Sequence, residues 1–339
     1  MESESSLLST ILFYGFYSVS LLLETFLFYL IVKKTPDYIK EIKIFLLASN
    51  ISNLSLIFIS AGSRFRIIPS ETTLAVLCEG FSVKYLGPHV CFHGFSALLT
   101  IACVICLVNV DILYYRKLVL LSNTNALSLA KRLCVCCSSF VVIPILFCVI
   151  PHDFAIVLDD ILTTHPEYHL EQYEHIGGFS VIHHFLNYTL LSICMAIEVG
   201  GPSVMVYLGR QCQKHLKKYN KHLSNATRSN FKNLIRLVYL QAAVQMFSNV
   251  LLFFLFFFNN FLAGSLVFPQ YILPLLLTTS TILDPIAIIF YTKSFRSVIM
   301  KLLGINRDPA VTMINTVDPR AQQGNMFNQR RNLPEQRRF

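Results

Sequence analysis

Tryptophan is absent from the 339 residues, and charge is scarce: Asp, Glu, Lys and Arg make up 14% of the chain against 54% hydrophobic residues. The first absence leaves Tyr and Phe to supply any aromatic belt at a bilayer surface. The second, with a mean hydropathy of +0.56, excludes an ordinary soluble domain and marks an integral membrane protein. Acidic residues are missing from residues 209–236, where Arg210, Lys214, Lys217, Lys218, Lys221, Arg228, Lys232 and Arg236 gather. Lys and Arg are missing from residues 151–184, which carry Asp153, Asp159, Asp160, Glu167, Glu171 and Glu174. A nucleic-acid-binding reading of the basic stretch is rejected, since it would leave the flanking apolar runs without a partner. The start, Met1–Ser6, lacks the basic residues and small-residue cleavage site of a removable signal peptide. The first apolar run is therefore expected to stay as a signal anchor. Ten scattered cysteines are too few for a disulfide scaffold, and no repeat of the kind that relates transporter halves is visible.

What is present is a succession of seven apolar runs of membrane-spanning length. They are Leu7–Val32, Ile42–Ala61, Val90–Ile112, Leu133–Ile150, Phe185–Leu208, Leu234–Phe258 and Tyr271–Tyr291. Lys and Arg near span ends resist translocation, so the basic stretch before Leu234 is placed in the cytoplasm. With that one assignment, all but Arg64, Arg66 and Lys84 of the 28 Lys and Arg fall on the inner side. The expected fold class is an all-α membrane protein, a seven-helix bundle with its N-terminus outside. Residues 1–6 form the outer N-terminus and 7–303 the bundle. Residues 293–303 alternate basic residues with Phe295, Val298, Ile299 and Leu302, which predicts an amphipathic helix on the inner leaflet. Residues 304–339, rich in Asn, Gln, Arg and Pro, have little to bury and are expected to be disordered.

Several stretches resemble the nematode serpentine chemoreceptors of the Str superfamily, most closely class delta. They are Arg64-Phe-Arg66-Ile-Ile-Pro69, Gly80–Tyr85, Gly87-Pro88 and Cys91-Phe92, then Tyr115-Arg116, Ser224-Asn-Ala-Thr227 and Leu240-Gln241, and finally Asp284-Pro285 with Lys293–Arg296. The resemblance covers about residues 5–303 and implies a G-protein-coupled receptor plan. One departure is that Ala242–Val250 lacks the proline that usually follows the glutamine of the sixth span.

Ionisable residues inside spans are functional candidates by default, because a charge at a helix centre costs roughly 2.5–3.5 kcal/mol. Glu24, Asp111, Glu198 and Asp284 qualify, and no span offers a Lys or Arg to pair with them. Asp284 beside Pro285, and Glu198 before Gly200-Gly201-Pro202, are candidate switch positions where proline frees a carbonyl. The alternative for each is a static helix break. Asp111 and Arg116 at the inner end of the third span, with Ser224, Thr227 and Arg228 at the base of the sixth, are candidates to face a G protein. Gln241, Gln245 and Asn249 recur every four residues and share a helix face, expected to look into the bundle. By depth alone, His93, Ser96, Thr100, Asn187, Ser192, Asn249 and Thr278 are candidates to line a ligand pocket. The acidic outer loop has no cysteine, so Cys91 pairs elsewhere or stays free; Cys78 is the favoured partner and Cys148 the second. His165, His169, His175, His183 and His184 lack metal-ligand spacing and are read as solvated loop residues.

The reading that follows is a chemosensory receptor with no cofactor and no catalytic centre. Its expected partners are the bilayer, a small-molecule or peptide ligand and a heterotrimeric G protein. A sensory cilium is the site the resemblance implies. A seven-span ligand-gated channel or transporter, and a metal-dependent membrane hydrolase, are the alternatives.

Overall fold

The computed structural model describes residues 2–35, 43–69, 73–86, 89–120, 154–164, 166, 176–180, 185–218, 225–261 and 267–304. The expected fourth span, Cys148, Ser224, the loop histidines named above and the tail beyond Gly304 lie outside these residues. Helices α1 (Glu2–Lys34), α2 (Lys43–Ser63) and α4 (His89–Leu120) carry the first three spans, with the short α3 (Phe81–Leu86) between the last two. Helix α5 (Phe154–Thr164) precedes α6 (Phe185–Lys218) and α7 (Asn225–Phe261), the fifth and sixth spans. The seventh is built from α8 (Val267–Leu277) and α9 (Ser280–Tyr291), followed by α10 (Lys293–Leu302). Six stretches among the described residues are long and apolar enough to cross a membrane.

Hydropathy found these helices but not their ends. α6 continues past Leu208 to Lys218, and α7 begins at Asn225 rather than Leu234. The apolar run stops where charge begins, whereas a helix stops only where its backbone hydrogen bonds do. The seventh span is the reverse case, one apolar run containing two helices. At the break, the Thr278 hydroxyl donates to the carbonyls of Pro274 and Leu275, and Thr281 Oγ1 donates to the Thr278 carbonyl at 2.7 Å. The Leu275 and Thr278 carbonyls also accept the N–H groups of Thr278 and Thr281, at 3.2 and 3.0 Å, so the hydroxyls reinforce a tightened turn.

Helix α4 is the axis. It packs against α2 on one side and α6 on the other. Close approach to α6 is possible because Gly201 has no side chain: a Cβ there would lie 2.1 Å from the Sγ of Cys106. Around α6 and α7 the same economy recurs at Gly209, where an added Cβ would meet the Tyr239 ring at 2.9 Å.

The first two outer loops contain structure that the span reading left blank. Strands β1 (Phe65–Pro69), β2 (Thr73–Cys78) and β3 (Ile176–Ser180) form an antiparallel sheet in the order β1-β2-β3. Phe65 pairs with Cys78, and Thr73 with Ser180. Every residue of β2 is buried. Phe65, Ile67, Leu74 and Val76 join the cluster that includes Phe92, Phe95 and Leu98 of α4, while Ile68, Ala75 and Leu77 pack with Val157 and Ile161 of α5. The alternation of these two sets is the period-2 pattern of a strand buried on both faces. A disulfide between Cys78 and Cys91 ties the end of β2 to the start of α4. Gly80 lies against the last turn of α2, where a Cβ would sit 2.0 Å from the Gly62 carbonyl oxygen; its N–H donates to the Ser63 carbonyl at 2.9 Å.

Residues 1–296 form one compact unit. Beyond it, residues 297–304 complete α10 and its final turn. Phe295 in the first turn of α10 is fully buried, and the Arg296 guanidinium lies over the Phe290 ring at 5.9 Å.

Candidate functional site

Three polar assemblies lie among the apolar contacts, and each joins separate elements of the fold. At the outer end, Arg64 and Arg66 approach the Tyr271 ring, each 5.5 Å from its centroid. The Tyr271 hydroxyl donates to Glu79 at 2.6 Å, Arg64 pairs with Glu79 at 3.5 Å, and Arg66 Nε donates to Gln270 Oε1 at 2.8 Å. This cluster fastens β1 to α8. It explains how two of the three basic residues left outside can be shielded: each cation is met by a carboxylate or amide and by an aromatic face.

The second assembly centres on Glu24, which is fully buried in α1. Asn50 and Asn53 of α2 donate their amide N–H groups to its two carboxylate oxygens, the Asn53 bond measuring 2.6 Å. Asn50 also donates to the Glu24 carbonyl at 3.0 Å. The pairing depends on the spacing of the two asparagines, since residues three apart share a helix face. Nearby, the Tyr17 and Thr278 hydroxyls are 3.0 Å apart and those of Ser20 and Thr281 3.1 Å apart, so α1 contacts the break in the seventh span and the start of α9.

The third assembly is a chamber of about 40 Å³ between α4, α6, α7 and α9. Its polar lining includes Asn109, Glu198, Gln241, Gln245, Asn249 and Asp284. Asp284 is buried and lines the chamber beside Gln241 and Asn109. Gln245 Nε2 donates to Glu198 Oε2 at 2.9 Å. The origin of the remaining contact lies in the backbone of α6. Pro202 has no N–H, so the Glu198 carbonyl four residues earlier loses its helical partner; Asn249 Nδ2 supplies one instead, at 2.8 Å. A smaller cavity of about 30 Å³, lined by Leu46, Ser49, Ile112, Leu234 and Thr292, lies toward the inner ends of α2, α4, α7 and α9. Asn109 and Gln241 line both cavities and thus form the partition between them.

The candidates taken from the sequence divide accordingly. Gln241, Gln245 and Asn249 share the chamber with Glu198 and Asp284, and Pro285 is buried beside Asp284. The depth-based ligand set does not converge. His93 and Ser192 are exposed on the outside of their helices, and a side chain on that face lines no cavity within the bundle. The Ser96 and Thr100 hydroxyls are buried but donate to the Phe92 and Ser96 carbonyls of their own helix, at 2.9 and 2.8 Å. Thr278 is engaged with Tyr17. Of that set, only Asn249 borders the chamber among the described side chains; the Asn187 side chain is outside them. Asp111 is half-buried on α4. Arg116 lies on α4, and Thr227 and Arg228 in the first turn of α7, with side chains outside the described set. Asn109, Ser248 and Ser280 were missed as chamber residues, and Asn50 and Asn53 as the partners of Glu24. The run Ser49-Asn-Ile-Ser-Asn53 was the available signal, being unusually polar for the middle of a span.

Comparison with known proteins agrees with this architecture. Residues 9–301 match the family model described as serpentine type 7TM GPCR chemoreceptor Srd. Among Caenorhabditis elegans proteins, the chain is 26% identical to serpentine receptor class delta-63 over 284 residues, covering 81% of this chain and 85% of that protein. It is 26% identical to serpentine receptor class delta-50 over 315 residues, covering 87% and 90%, and 22% identical to class delta-59 over 307 residues, covering 88% and 91%. The chain is a multi-pass membrane protein belonging to the Srd family of serpentine, seven-transmembrane, G-protein-coupled chemoreceptors.

Proposed function

We propose that this receptor detects an extracellular chemical cue at the plasma membrane, in a sensory cilium, and passes the signal to a heterotrimeric G protein. The observation that carries the reading is the partition between the two cavities. Asp284 of α9 shares the chamber wall with Asn109 of α4 and Gln241 of α7, while Glu198 of α6 is held by Gln245 and Asn249 of the same α7 face. The third, fifth, sixth and seventh spans thus meet around one polar chamber, and the fifth and sixth are joined there by exchangeable hydrogen bonds. Such bonds between membrane helices contribute only about 0.6 kcal/mol each on average, so repacking α7 costs little. A ligand that binds one packing better than the other shifts the population by its differential affinity. Asp111, Arg116, Thr227 and Arg228, with Ser224 and the basic stretch between α6 and α7, are then the surface offered to the G protein; an inner-leaflet position for α10 fits its basic and apolar faces.

The reading places chemistry in none of these residues: it assigns recognition and relay, not catalysis. The test is expression in a reporter cell challenged with volatile, water-soluble and peptide cues. A cue response abolished by G-protein blockade is expected. A response that survives complete blockade, or an ionic current without G protein, contradicts the coupling and favours a ligand-gated channel.

A further inference from the structure

Resting on that reading and deepening it, we propose that the chamber between α4, α6, α7 and α9 binds a small monovalent cation, as a free alkali ion or as the ammonium end of an amine cue. Glu198 and Asp284 both border it, and no Lys, Arg or His is among its described lining residues. Glu198 spends one carboxylate oxygen on Gln245, but its other oxygen, Oε1, is shielded from solvent and has no hydrogen-bond partner. A shielded carboxylate oxygen is costly when unmatched, and a cation supplies the counter-charge it lacks. The surrounding donors are carboxylate and amide oxygens, hard ligands suited to alkali ions and ammonium groups rather than to thiophilic metals. An anionic ligand would meet two carboxyl groups without a counter-charge.

Size narrows the occupant further. A cavity of about 40 Å³ holds roughly three waters at about 10–15 Å³ of water-centre space each. That admits an ion with one or two waters, or an ammonium group bearing a methyl, but not a whole multi-carbon cue. An amine ligand would therefore seat only its charged end here.

The test uses the full-length receptor in lipid nanodiscs. Its unfolding midpoint is measured at fixed pH and ionic strength in the chlorides of sodium, potassium and methylammonium, against N-methylglucamine, a cation too bulky to enter. A saturable rise of about 3 °C or more in at least one small cation is expected, together with its loss in Glu198→Gln, which keeps the shape and removes the charge. A rise with sodium or potassium alone assigns the site to an inorganic ion; a rise with methylammonium assigns it to an amine. Equal midpoints in all four salts overturn the proposal, as does a full shift in the Gln variant. Should that variant fail to fold, sodium-23 NMR on the unaltered receptor decides: specific line broadening relieved by methylammonium or potassium supports the site, and none overturns it. Because this readout needs no G protein, its failure leaves the receptor reading standing, and a silent reporter cell leaves the cation site standing.

Discussion

Alanine at position 50 removes one amide that donates to both the carboxylate and the carbonyl of Glu24. Hydrogen bonds between membrane helices average about 0.6 kcal/mol and reach about 1.7, so two lost bonds amount to about 1–2 kcal/mol. A fully buried acid left with part of its hydrogen-bonding unmet adds to this. The Asn53 contact at 2.6 Å remains and limits the damage. We expect Asn50→Ala to destabilise the receptor by about 2 kcal/mol, and Asn53→Ala, with one bond at stake, by about 1 kcal/mol. Denaturation of the purified protein in mixed micelles measures both. The decisive comparison is the double-mutant cycle with Glu24→Ala, in which Asn50→Ala should become nearly silent and the coupling should be about 1–2 kcal/mol. Additivity within about 0.3 kcal/mol would refute the claim that these residues act as one unit.

Other expectations come from the same geometry. Gly201→Ala should destabilise by about 1–3 kcal/mol; Cys106→Ala should restore most of that, because it removes the sulfur 2.1 Å from the new Cβ. A double variant no better than Gly201→Ala alone would show that the close approach is not the cause. Asn249→Ala should weaken the receptor, but less so in a Pro202→Ala background, where the Glu198 carbonyl regains a partner within its own helix; equal effects in both backgrounds contradict this account of the proline. Loss of the Cys78–Cys91 bridge through Cys78→Ser, at a sequence separation of 13, should cost about 3 kcal/mol on a loop-closure argument, read as a lower midpoint under non-reducing conditions.

How much of this was legible in the residues depends on the kind of force involved. Apolar length and charge placement report on the solvent each segment meets, so the described spans and the helix after the seventh were visible as composition. The amide face of the sixth span was visible too, since a period of four needs no knowledge of the partner helix. Partners themselves were not. Nothing local to Glu24 names Asn50 and Asn53, and nothing near Pro202 names Asn249; such contacts are set by how helices rotate against one another. Depth alone misplaced His93 and Ser192, because depth along a helix does not fix which way a side chain faces. The sheet escaped notice because β2, Thr73–Cys78, reads as a short apolar piece of a loop, and its pairing with β3 joins segments about a hundred residues apart.

The central claim is orientation, since a receptor that couples to a G protein must present the basic stretch between α6 and α7 to the cytoplasm. Epitope tags at the N-terminus, within residues 219–224 and at the C-terminus measure this directly in intact and permeabilised cells. The account predicts that the N-terminal tag is labelled on intact cells and the other two only after permeabilisation. Labelling of the 219–224 tag on intact cells, or an N-terminal tag reached only after permeabilisation, would contradict it.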